Sequence, residues 1–334
     1  MIEPFAIHVP DAVLSDLHER LGRTRWAEDF ANEGWRYGAN GAYLRDLAHH
    51  WLHRYDWRAR EAAMNGFAHF RTEIDGVPIH FVHERGKGPN PTPLLLLHGW
   101  PWSFWDYHKV IGPLIDPAAH GGDPADAFDV IIPSLPGFGF STPLCTPGVN
   151  WWKTADLFAV LMDRLEYDRF AAHGGDVGAF IAAQLGHKHA ARMIGIHIHT
   201  AGQLEFMAGL GWDPADYAPE EAAFVSRMKA VRGEVGHFAI QSTKPQSLAY
   251  GFNDSPVGLR AWLVDKRRGW SDCGGDVERR FSKDELIDTA MLYWATESFH
   301  TSARYYYEGA HDPWTPTHDR MPVVEAHGAG PLPS

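Results

Sequence analysis

The sequence predicts an α/β fold: a mainly parallel sheet with helices on both faces. Three observations carry this. Strand-like apolar runs alternate with helical stripes from residue 67 to about 200. Two of those runs end in glycine-containing turns, His98-Gly99-Trp100-Pro101 and His173-Gly174-Gly175-Asp176-Val177-Gly178-Ala179. From Thr200 to about Ala310 the signals are helical with no convincing strand, and a strand-like run resumes at 322–325.

In chain order, 10–21 carries Val13, Leu14, Leu17 and Leu21 at helical spacing. Asn40 can cap a second helix whose Leu44, Leu47, Ala48, Trp51, Leu52 and Tyr55 share a face. The runs 67–74 and 77–84, joined by Asp75-Gly76, read as a hairpin. The short apolar run 93–98 suits a buried central strand. Helix 103–115, strand 128–133 and helix 153–165 follow, then strand 170–174, helix 177–185 and strand 193–199. Ser255-Pro256 opens a helix with Leu259, Trp262 and Leu263, proline suiting the first turn. Ser282-Lys283-Asp284-Glu285 is a capping box ahead of Leu286, Met291, Leu292 and Trp294. The expected organisation is a helical segment at 1–66 packed on the core, an α/β core at 67–200, a helical lid at 201–310 over the carboxyl end of the sheet, and a return to the core at 311–334.

Composition narrows the function classes. The formal net charge is −12, so electrostatic affinity for nucleic acid or anionic lipid is not expected. No run approaches the roughly 18 apolar residues of a membrane span. Met1-Ile2-Glu3-Pro4 is neither basic nor followed by an apolar core, so a cytoplasmic location is expected. Cys145 and Cys273 read as free thiols. Histidine is abundant, but the pairs His49/His53 and His197/His199 lack further ligands nearby and read as structural. No metal and no organic cofactor is expected.

The segment around Asp176 has the form small-x-nucleophile-x-small, the pattern of a sharp turn from strand into helix. Such a turn strains its central residue and lifts the side chain clear of the sheet. Gly174 and Gly178 supply the room. A carboxylate displayed there suits attack on a saturated carbon with formation of an ester. The backbone N–H groups of Trp100 and Val177 can then point at one developing negative oxygen. His98 reads as a structural hydrogen-bonding residue behind that loop. Pro136-Gly137-Phe138-Gly139-Phe140-Ser141 is a second turn-rich loop. Trp100, Trp102, Phe104, Trp105, Phe138 and Phe140 are candidates for a hydrophobic pocket or for the core.

These segments resemble those of epoxide hydrolases of the microsomal-type branch. So do Ile240-Gln241-Ser242-Thr243-Lys244-Pro245-Gln246, Asn253-Asp254-Ser255-Pro256-Val257-Gly258-Leu259 and Met291-Leu292-Tyr293-Trp294. The resemblance implies the α/β-hydrolase fold and hydrolysis of a small hydrophobic epoxide by water to a vicinal diol. Asp176 matches the nucleophile. Tyr306 matches the second of two lid tyrosines that donate to the epoxide oxygen, with the register open among Tyr305, Tyr306 and Tyr307. His237 stands where the first is expected: either the imidazole substitutes or Tyr306 acts alone.

The resemblance also implies a histidine base in a Gly-Gly-His-Phe segment, with a carboxylate to orient it, after a strand like 322–325. That signature does not occur in the 334 residues. The expectation is a chain whose last strand and last helix are absent and whose ester is not released. Glu325 on the strand and His327 before the Gly/Pro-rich tail are not promoted to those roles. An edge left without its element predicts exposed apolar surface and self-association into a homo-oligomer. Two other readings stay open: a haloalkane dehalogenase, against which Val177 stands where an indole N–H is often needed, and a non-catalytic ligand-binding protein using the same pocket.

Overall fold

The sheet grows from a two-residue turn. Asp75 and Gly76 both adopt left-handed φ, 52° and 75°, the geometry that joins antiparallel strands without splaying them. They connect β2 (His69–Ile74) to β3 (Val77–Glu84), paired from Ile74 with Val77 to His69 with Val82. The structure is a computed structural model describing residues 1–199, 215, 217–231 and 234–312. The expected strand at 322–325, with Glu325 and His327, lies outside the described residues.

β3 pairs antiparallel with β5 (Phe128–Pro133), which begins a parallel set with β4 (Thr92–Leu97), β6 (Phe170–Gly174) and β7 (Met193–Ile198). A short strand not foreseen in the sequence, β1 (Glu3–Phe5), adds beyond β2. The order is β1-β2-β3-β5-β4-β6-β7. Four strands supply the expected parallel part and the hairpin extends it antiparallel, so the sheet is mixed. The central strands are buried on both faces, with Leu95, Leu97, Val130, Ile131 and Ile132 fully enclosed. β7 is an edge among the described residues, and Ile194 and Ile196 on it are 50% and 39% exposed.

The helices are α1 (Asp11–Gly22), α2 (Gly41–His53), α3 (Trp57–Met64), α4 (His108–Ile115), α5 (Trp151–Arg164), α6 (Val177–Lys188), α7 (Ala222–Val231), α8 (Gly236–Gln241), α9 (Pro245–Asp254), α10 (Pro256–Gly269), α11 (Lys283–Ala295) and α12 (Phe299–His311). Several start where the sequence says. The Asn40 side chain accepts from the Tyr43 N–H at 3.0 Å, and Ser282 and Glu285 form the reciprocal capping box. Helix α3 was not foreseen; Asp56 caps it by accepting from Ala59 N–H. Among the described residues beyond β7 every element is helical, and no described helix is long and apolar enough to cross a membrane. Both cysteines are free, Cys145 exposed and Cys273 buried.

One buried carboxylate joins the N-terminal helices to α11. Asp288, 1% exposed, accepts from Arg60 Nε at 2.9 Å and from Arg60 Nη2. It also accepts from Tyr55 Oη at 2.8 Å and from Trp105 Nε1 at 3.3 Å. Removing one member of such a group leaves the others desolvated and unpaired. Asp288→Ala is therefore expected to lower unfolding stability by about 3 kcal/mol, read from the urea midpoint of the full chain. A loss no larger than that of an exposed control such as Asp272→Ala would contradict this account.

Candidate active site

Strands β4 and β6 are parallel neighbours in register, Leu97 opposite Gly174. The loops that leave them therefore emerge side by side at the carboxyl edge of the sheet, where α/β sheets open a crevice. The first loop carries Gly99 and Trp100; the second turns through Asp176 into α6. Asp176 holds φ 53° and ψ −129°, a strained conformation for a residue with a Cβ. Close packing makes the turn possible. A Cβ on Gly178 would stand 2.1 Å from the Leu97 carbonyl oxygen, and one on Gly174 would stand 2.1 Å from that of Gly178. Gly99 has the same need, which the sequence reading missed: a Cβ there would lie 2.3 Å from Asp176 Oδ1.

The two expected amides converge. Trp100 N–H donates to Asp176 Oδ1 at 2.9 Å and Val177 N–H donates to the same oxygen at 2.7 Å. Donors fixed at one oxygen stabilise negative charge there without reorganising, and the N-terminus of α6 acts in the same sense. Burial opposes them. It pushes the Asp176 carboxyl up from 3.8 to about 6, the amides of Trp100 and Val177 pulling the other way. His98 supports the first loop from behind. Its Nε2 accepts from Leu135 N–H at 3.1 Å and its Nδ1 bonds the Gly99 carbonyl at 3.0 Å. Burial lowers its pKa to about 4, which leaves it a neutral strut.

Aromatic rings from three helices stand around Trp100. Its indole, fully buried, stacks on His237 of α8 at 4.9 Å and 10°. Tyr306 of α12 meets it edge-on at 6.0 Å, and Trp270 at the end of α10 at 6.3 Å. Phe238 packs against Tyr306 at 5.0 Å. Trp270 and Phe238 were missed because only the crossing of helices brings them here. The tyrosine register is resolved by contacts. The Tyr305 hydroxyl bonds Thr154 and the Tyr307 ring stacks on His311 at 3.9 Å. The Tyr306 hydroxyl is buried with no hydrogen-bond partner. Burial raises its pKa well above the usual value, and the charges of Asp176 and Tyr293 raise it further, so it stays protonated.

His237 is 3% exposed, and burial, then the charge of Lys266, lowers its pKa to about 3. The Glu234 backbone pulls the other way, and the Nδ1 atom is buried without a hydrogen-bond partner.

The remaining pocket candidates lie further out. Trp102 lies under the Arg267 guanidinium at 3.8 Å and meets Trp270 edge-on. Phe104 and Phe140 pack on His80, at 5.0 Å and 5.3 Å. Phe138 lies against His98 and Tyr305, bracing the loop from below. Trp105 stacks on His108. Among the described residues no group of three or more His, Cys, Asp or Glu could hold a metal ion. His49 and His53 touch each other at 4.6 Å, and His197 bonds His173 at 2.7 Å.

The raised Asp176 pKa has a signed consequence. Below about pH 4 the carboxyl is protonated folded and unfolded, and its burial has no ionisation cost. As pH rises from 3.8 towards about 6 the native state resists ionisation and stability falls, levelling above 6. Asp176→Asn removes that cost. The variant should be more stable than the parent by about 2–3 kcal/mol above pH 6, with the gap closing near pH 4, in urea unfolding across that range. A gap independent of pH would exclude this origin.

Comparison with known proteins gives consistent results. A family model described as epoxide hydrolase N terminus matches residues 2–107, and one described as alpha/beta hydrolase fold matches residues 92–222. A Stigmatella aurantiaca protein bearing a provisional epoxide hydrolase name is 44% identical over 310 residues, covering 92% of this chain and 70% of that protein. Epoxide hydrolase 1 of Oryctolagus cuniculus is 35% identical over 333 residues, covering 92% of this chain and 72% of that protein. The crystal structure of juvenile hormone epoxide hydrolase from the silkworm Bombyx mori superposes with a TM-score of 0.82 at 33% identity, covering 93% of this chain and 78% of that one.

Proposed function

Because this chain belongs to the epoxide hydrolase family, we propose that it opens a small hydrophobic epoxide through an ester on Asp176. One observation carries the reading. The Asp176 carboxylate holds Oδ1 under two amides, close enough to the buried, unpartnered hydroxyl of Tyr306 to raise its pKa. Oδ2 attacks one epoxide carbon in line, the carbon–oxygen bond opposite breaks, and the leaving alkoxide takes the Tyr306 proton. The phenolate recovers its proton from water. The charge on Asp176 disappears as the ester forms. The charge that, after burial, does most to hold the Tyr306 proton therefore vanishes when the proton is needed.

In the ester, Oδ1 becomes the carbonyl oxygen. Water adding to Cγ places negative charge on Oδ1, beneath the Trp100 and Val177 amides. Collapse of that intermediate would release a vicinal diol and restore the carboxylate. We assign the proton donation to Tyr306 alone. His237, stacked flat on the Trp100 indole, serves as a wall of the site. The helices α7–α12 act as the lid that excludes water from the first step.

Ester hydrolysis needs a base, and the two imidazoles flanking the Trp100 loop are weak ones, held near 4 for His98 and 3 for His237. Among the described residues these are the imidazoles beside that loop, and the ester is expected to accumulate. Intact-mass spectrometry after addition of a reactive epoxide is expected to show one adduct, localised to Asp176 and absent in Asp176→Asn. Unmodified protein releasing diol over many turnovers would exclude accumulation.

Two kinetic outcomes test the assignments. Alkylation should climb about tenfold per pH unit below 6 and level above it, as Asp176 ionises with a pKa of about 6. Tyr306→Phe should slow alkylation by about 10²–10⁴-fold, whereas His237→Phe should leave its rate within about tenfold. Stopped-flow mass sampling measures both; a larger loss in the His237 variant would reverse the assignment of donor.

A further inference from the structure

Two buried histidines stand between the β2–β3 hairpin and the loop at 134–141. His69 and His80 stack at 5.2 Å and 18°, 4% and 0% exposed. Both rings are neutral. Burial lowers the pKa of each, and the groups whose charge bears on His80 are His69, Arg71 and His98, all bases. The other rings packed on His80 are Phe5, Phe104 and Phe140, which offer a proton no counter-charge.

The hydrogen bonds of the pair run in one direction. The Met64 carbonyl at the end of α3 can only accept, so His69 Nε2, 2.7 Å away, carries the proton. His69 Nδ1 is then a lone pair and accepts from His80 Nε2–H at 2.9 Å. His80 Nδ1, left as an acceptor, receives the Ser134 hydroxyl at 2.9 Å. The His80 backbone holds the same loop. Its carbonyl accepts from Ser134 N–H at 2.8 Å, and its N–H donates to Ser141 Oγ at 2.9 Å. The Ser141 hydroxyl in turn donates to the Ser134 carbonyl at 2.8 Å.

The next residue carries that position to the candidate active site. Leu135 N–H donates to His98 Nε2 at 3.1 Å, and His98 Nδ1–H donates to the Gly99 carbonyl at 3.0 Å, one residue before the Trp100 amide. An added proton breaks the order. On His69 Nδ1 it would face the His80 N–H, and on His80 Nδ1 it would take away the acceptor of the Ser134 hydroxyl.

We propose that His80 is a positioning residue for the Trp100 amide, acting through Ser134, Leu135 and His98 in its neutral tautomer. The consequence for catalysis rests on the proposed ester chemistry; the effect on the Asp176 carboxylate does not. The Trp100 amide lowers the Asp176 pKa against burial, so a Trp100 N–H that drifts from Oδ1 lets that pKa rise above about 6.

Carbon-13 NMR titration of the aspartate-labelled full chain reads this without an epoxide, Asp176 being the resonance lost in Asp176→Asn. His80→Phe keeps an aromatic ring but loses both ring hydrogen bonds, and its Asp176 midpoint is expected to rise by at least about half a unit. Ser134→Ala should move it the same way, and the double variant no further than His80→Phe, because both cut one relay. Ile79→Ala, a fully buried neighbour on β3, should lower unfolding stability and leave the midpoint in place. Where an epoxide alkylates the parent, the midpoint of that pH profile should shift with the titration. An unmoved midpoint in His80→Phe and Ser134→Ala overturns the proposal, as do an equal shift in Ile79→Ala and additive shifts in the double variant. Should His80→Phe fail to fold, Ser134→Ala decides alone. A chain that shows these shifts but is never alkylated would keep the relay and lose the ester reading.

Discussion

Two amide hydrogens meet at one carboxylate oxygen because two parallel strands end level with each other. The pairing of Leu97 with Gly174 sets that level, and a slip of one residue would move Trp100 N–H by a strand rise of roughly 3.3 Å. The glycines keep the approach open: the Asp176 turn presses on Leu97 and His98 through Gly178 and on the Trp100 loop through Gly99. His98 fixes the same loop to Leu135, so strands β4, β5 and β6 all contribute to the position of one N–H. The strained backbone of Asp176 is sustained by this packing on every side.

The second determinant is enclosure. Trp100 acts twice, through its amide on Asp176 and through its indole, which seats His237, Tyr306 and Trp270. The rings remove water from the carboxylate, and burial raises its pKa to about 6 against the pull of the two amides. A desolvated carboxylate is a better nucleophile than a hydrated one, and the same low-dielectric setting keeps Tyr306 protonated. The helices bearing these rings are held from outside by polar ties. Asp288 binds Arg60 and Tyr55 of the N-terminal segment and Trp105 of the core. Arg267 reaches from α10 to Asp106 and Thr289.

Local chemistry was readable wherever a short stretch of chain decides its own conformation. Asp75-Gly76 can join strands only as a tight hairpin turn, Asn40 and Ser282 cap helices within three residues, and the glycines flanking Asp176 announce the elbow. The parallel strands and the convergence of Trp100 and Val177 followed from the same kind of reading. The short β1 and α3 escaped it. β1 has three residues and is held by its pairing with β2. α3 has little apolar periodicity, and its stability rests on Trp57, Glu61 and Met64 being buried by other segments.

By itself the sequence determined the α/β architecture, the elbow with its aspartate and the loop that supplies the facing amide, because each is written in contiguous residues whose backbone preferences act over a turn or less. Tertiary structure alone decided which of three consecutive tyrosines looks at that aspartate. Successive residues on a helix point about 100° apart, and only the placement of α12 against Trp151, Thr154 and Trp100 selects Tyr306. It also decided that Phe104 and Phe140 belong with His80 and that Trp270 belongs beside Trp100. Those outcomes depend on contacts between segments far apart in the chain, which no local pattern encodes.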